Sequence, residues 1–106
     1  MLRNKSGRYL ECTAAGVKAA AASRPTISPS DFSVVDAAGA SAWPISGFSW
    51  GMVYEQPGDK ARAKLVRDAL LWLVTAAQPI AGSLNYVPLP PRIEAFSKSQ
   101  LERMKV

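Results

Sequence analysis

The apolar and polar positions of this chain fall into short segments of different period. Near the start, Asn4-Lys5-Ser6-Gly7 is a turn-forming cluster, with a glycine available for positive φ. Leu2 stands before it and Tyr9 and Leu10 after, so the segment either closes a short hairpin or leads into a strand. Thr13 is placed to cap a helix over Ala14 to Ser23. That helix is nearly all alanine, with Gly16 as its weak point, and Pro25 ends it. Side chains this small suit close packing against another element better than solitary stability. From Arg24 to Ser41 the composition shifts to Pro, Ser, Ala and Gly. Within it Asp31-Phe32-Ser33-Val34-Val35-Asp36 reads as a short strand, and Ala37 to Ser41 as a loop around Gly39.

A strong alternation follows. In Trp43-Pro44-Ile45-Ser46-Gly47-Phe48-Ser49-Trp50-Gly51-Met52-Val53-Tyr54, the residues Phe48, Trp50, Met52 and Tyr54 share one face. Gly47, Ser49, Gly51 and Val53 share the other. One large face and one small face predict a central strand, with another element pressed closely on the small side. Pro57-Gly58-Asp59 breaks this strand, and Asp59 caps a helix from Lys60 to about Gln78. Leu65, Ala69, Trp72, Leu73 and Ala76 trace its apolar face at helical spacing. Val66, Leu70, Val74 and Ala77 widen that face, so the second half is expected to be buried nearly all round. Pro79 kinks or ends the helix. Beyond Gly82, Leu84-Asn85-Tyr86-Val87-Pro88-Leu89-Pro90-Pro91 is expected to be extended because its prolines fix the backbone. A last helix runs from Arg92 to Met104, with Ile93, Phe96, Leu101 and Met104 as its apolar residues.

Composition narrows the chemistry. The chain has 106 residues, 48% of them hydrophobic and 20% charged, which describes one small globular domain or a piece of a larger one. The formal charge of +5 raises the question of an anionic partner. The cations are spread, however: Arg3, Lys5 and Arg8 at the start, Lys60 to Arg67 on a helix, and Arg92 to Lys105 at the end. Asp59, Asp68, Glu94 and Glu102 lie among the last two groups, so solvated helix faces account for the charge. There is no histidine and only one cysteine, Cys12. That composition gives no internal disulfide, no His/Cys zinc cluster and no Ser-His triad. Cys12 reads as a small residue at a helix start rather than a nucleophile. No apolar h-region follows Met1, and the most apolar run, Ala69 to Ala77, is too short to span a bilayer. No export signal or membrane anchor is therefore expected within these residues.

Three phrases carry a resemblance. They are Asn4-Lys5-Ser6-Gly7-Arg8-Tyr9 before an alanine-rich helix, Ala42-Trp43-Pro44-Ile45-Ser46-Gly47-Phe48-Ser49-Trp50, and Leu70-Leu71-Trp72 followed by Leu84-Asn85-Tyr86-Val87-Pro88-Leu89-Pro90. In this order and spacing the chain resembles the C-terminal third of the substrate-binding proteins of phosphate ABC importers. It departs from them at Cys12, where the family usually has proline, at Gly16 within a helix, and at Pro79, where the family's long helix runs on.

The resemblance implies an α/β fold: part of a type 2 periplasmic-binding-protein fold, a partial lobe of a few strands packed by helices. On that basis residues 1–41 hold a helix and strand near the inter-lobe crossover, and residues 42–106 a strand and two helices completing the first lobe. It implies a binding protein and no enzyme, delivering inorganic phosphate to the membrane subunits of an ABC importer, periplasmic or cell-surface in its full-length form. It implies no metal, no cofactor and no nucleic acid. None of the family's ligand motifs falls on this chain, so no residue is assigned to ligand binding or catalysis. Ser46 and Ser49 are explained by packing, Arg3 and Arg8 by exposure beside a turn, and Trp43, Phe48, Trp50 and Trp72 as core. The remaining readings are a free-standing basic domain that binds nucleic acid or a protein partner, and a hydrolase, for which no paired acidic spacing exists.

Overall fold

A computed structural model describes residues 1–24 and 26–106 of the chain. Among these, two compact units form, Met1–Ser49 and Trp50–Val106. Their elements are β1 (Leu2–Arg3), β2 (Tyr9–Leu10) and α1 (Ala14–Ala22), then α2 (Lys60–Val74), α3 (Gln78–Ala81), a 3-10 turn at Gly82–Leu84, and α4 (Pro91–Glu102). The result is a mixture of helix and one small sheet, as a partial α/β domain would give.

In the first unit, β1 and β2 pair antiparallel, with Leu2 opposite Leu10 and Arg3 opposite Tyr9. Of the two alternatives, the hairpin is the one present. Asn4 N–H donates to Arg8 O at 2.8 Å and Gly7 N–H to Asn4 O at 2.9 Å. Gly7 has φ of 82°, a value that side-chain-bearing residues adopt only with strain. The Thr13 hydroxyl accepts from Gly16 N–H at 3.1 Å and caps α1 as its sequence implied. The proline expected to end this helix, Pro25, lies outside the described residues; α1 closes at Ala22.

Gly16 has a purpose that its low helix propensity conceals. A Cβ there would stand 3.3 Å from Trp43 Cβ and 3.5 Å from Ser41 O. The missing side chain lets Trp43 approach α1 so closely that its N–H donates to Gly16 O at 3.0 Å. Ala20, Ala21, Val34, Ala42 and Trp43 form the buried apolar residues of this unit.

The second unit is helical. Asp59 Oδ1 accepts from Arg62 N–H at 3.0 Å and starts α2. Asp59→Ala should cost about 1 kcal/mol, read as a loss of helicity on heating. Ala63 on α2 packs with Leu101 and Met104, and Leu70 and Val74 lie against the same cluster. Leu101→Ala is expected to cost about 2–5 kcal/mol in urea titration, because it removes the centre of this core. The C-terminus is tied back by Lys105 N–H donating to Glu55 O at 2.9 Å and by an Arg103–Glu55 ion pair at 2.9 Å.

Several expectations are overturned. Asp31 to Asp36 is not a strand: it contributes one isolated bridge, Ser28 to Asp31, and Asp36 turns to φ of 49°. Trp43 to Tyr54 is not a strand either. A strand needs a continuous ladder of pairing, and among the described residues this segment has none. Its large face is accordingly exposed, with Met52 at 97% and Tyr54 at 83%. Among the described residues the expected few strands reduce to one two-residue pair.

α2 ends at Val74, not near Gln78. Pro79 explains this, since its ring would collide with the Thr75 carbonyl if the helix ran on. Pro79 instead sits in the first turn of α3, where a missing N–H is tolerated. Gln78 bridges the break: its Nε2 donates to Leu73 O at 2.8 Å and its Oε1 accepts from Leu89 N–H at 2.7 Å. The extended segment begins only at Tyr86, because Leu84 ends the 3-10 turn and Asn85 is left-handed at φ of 61°.

The largest discrepancy concerns α2's burial. The packed side is Ala63, Leu70 and Val74. At about 100° per residue, Leu65, Ala69 and Trp72 lie roughly opposite. Leu65 is 71% exposed, Trp72 54% and Leu73 53%. The helix carries two apolar faces and only one is covered.

Candidate functional site

The polar residues singled out by the sequence do not converge. Ser46 is buried, and its hydroxyl donates to Trp43 O at 2.9 Å, which makes it a local clasp on the Trp43 turn. Ser49 is exposed, as are Arg3 and Arg8 on either side of the hairpin turn. Cys12 is exposed one residue before the helix cap. Of the aromatics expected in the core, only Trp43 is buried; Phe48 is half-buried, and Trp50 and Trp72 are exposed.

The best-formed polar site was not visible as a motif. Asn4 is only 5% exposed. Its Nδ2 donates to Gly39 O at 3.1 Å, Ala40 O at 3.0 Å and Ala42 O at 3.4 Å, while its Oδ1 accepts from Arg8 N–H at 2.9 Å. One amide therefore joins the hairpin turn to the loop that delivers Trp43. Both amide hydrogens are spent on backbone carbonyls, so the group has no donor left for an anion. The only signal in the sequence was an asparagine opening a turn cluster, which turn chemistry alone explains.

An open depression of about 340 Å³ in the first unit is lined by Lys5, Ser23, Arg24, Thr26, Ser33 and Asp36, among others. An oxyanion site needs convergent donors and surplus positive charge. Here Arg24 is committed: Nη2 lies 2.6 Å from Asp31 Oδ2, and Nη1 donates to Ser33 O at 3.0 Å. The Ser23 hydroxyl donates to Ala20 O at 2.7 Å, and Lys5 shares the rim with Asp36. The charges balance, and the Ser23 and Ser33 hydroxyls serve the backbone.

Elsewhere, cations pair along or near their own helices. Lys64 Nζ lies 2.6 Å from Asp68 Oδ2, and Lys98 lies 3.9 Å from Glu94. The hydrogen bond from Lys64 holds the Asp68 carboxyl below its usual value, with Arg67 adding to the effect. The sign is that of a depressed acid: the pair supports α2 at neutral pH, and the support disappears as pH falls through the lowered value. Both groups are exposed, so the effect on stability is small. Among the described residues no cluster of acidic, cysteine or histidine side chains is arranged to hold a metal, and no helix is long and apolar enough to cross a membrane.

The whole sequence is similar to known binding proteins. The phosphate-binding protein PstS of Xylella fastidiosa is 33% identical over 107 aligned residues, which take in 95% of this chain. The chain is similar to phosphate-binding proteins. The PstS of Methanocaldococcus jannaschii is 27% identical over 98% of the chain, and that of Pasteurella multocida 28% over 87%. The chain spans under a third of the curated PstS relatives it matches: 29% of the Xylella protein, 30% of the archaeal one and 27% of the Pasteurella one. No family model and no solved structure matches it. The resemblance read from the three phrases is thus to PstS proteins over nearly the whole chain.

Proposed function

We propose that this chain is a scaffold segment of a phosphate-binding protein: part of a molecule that binds inorganic phosphate and delivers it to the membrane subunits of an ABC importer, without supplying the phosphate ligands itself. The observation that carries this reading is a match over 95% of the chain that accounts for only 29% of the relative. On this reading the segment belongs to a type 2 periplasmic-binding-protein fold, and the whole protein acts in the periplasm or at the cell surface by association alone.

Residues 1–41 then lie near the crossover between lobes, and residues 42–106 complete the first lobe. Two features support a packing role. Ser46, Asn4 and Arg24 spend their polar groups on the chain itself. The alternating residues through Tyr54 have the pattern of a strand but do not form one.

Isothermal titration of the 106-residue chain with inorganic phosphate should give no specific heat. Micromolar or tighter uptake by the chain alone would place ligand groups within it and contradict the scaffold role.

A further inference from the structure

We draw no further inference here: the strongest candidate, the exposed apolar face of α2 formed by Leu65, Ala69, Trp72 and Leu73, carries none because nothing in the structure shows what covers it.

Discussion

Trp43→Ala is expected to destabilise the first unit by about 3–5 kcal/mol, the range for removing a large buried aromatic. Among the described residues Trp43 is the only buried aromatic, and it sits where α1 lacks a side chain at Gly16. Truncation leaves a hole on both sides of that contact, and the glycine backbone offers nothing to fill it. A small domain has about 5–15 kcal/mol to lose, so the first unit should be largely unfolded at 37 °C. Hydrogen exchange reads this directly: amides of Ala14–Ala22 should lose protection, while those of Lys60–Val74 retain theirs. Equal loss in both segments, or none in either, would show that Trp43 does not organise its own unit.

The second large effect is expected at Asn4. Its side chain makes bonds to Gly39, Ala40, Ala42 and Arg8, and each is worth about 1 kcal/mol net, with a further penalty where a buried partner is left unpaired. Asn4→Ala should therefore cost about 2–4 kcal/mol in urea titration. Asn4→Asp discriminates better. It keeps the oxygen that accepts from Arg8 N–H but aims a carboxylate at three carbonyl oxygens. The folded state then favours the protonated acid, so stability is lowest at neutral pH and recovers as the pH falls. A pH-independent Asn4→Asp midpoint would show that the amide donors do not hold the loop.

Local structure was the legible part of this sequence. The hairpin around Gly7, the Thr13 and Asp59 caps and the last helix follow from turn and capping chemistry acting within a few residues, and those rules need no partner. Elements that depend on distant neighbours were misread. The alternation from Trp43 to Tyr54 describes a strand only where another strand lies beside it, and none does among the described residues. Helical spacing revealed that α2 is apolar on more than one side but not which side is covered. The predicted face, Leu65 through Ala76, proved to be the exposed one. Gly16 was read as a defect because its contact with Trp43 lies 27 positions away along the sequence. At the site level, Arg3 and Arg8 are exposed beside the turn, as expected; Ser46 is buried, but Ser49, also explained by packing, is exposed. The buried role of Asn4 stayed hidden because an asparagine in a turn has a sufficient local explanation.

These failures share a cause. Sequence pattern records the environment for which a segment is built, and the two clearest patterns in this chain, the alternating segment and the outer stripe of α2, anticipate surroundings that these residues do not provide. The PstS relatives are long enough to provide them.

The most direct measurement of that account is a phosphate titration of the chimera in which residues 1–106 replace the matched segment of the Xylella fastidiosa phosphate-binding protein. A scaffold segment predicts that the folded chimera binds inorganic phosphate within about tenfold, or 1.4 kcal/mol, of the parent protein. A chimera that folds and takes up no phosphate would contradict it.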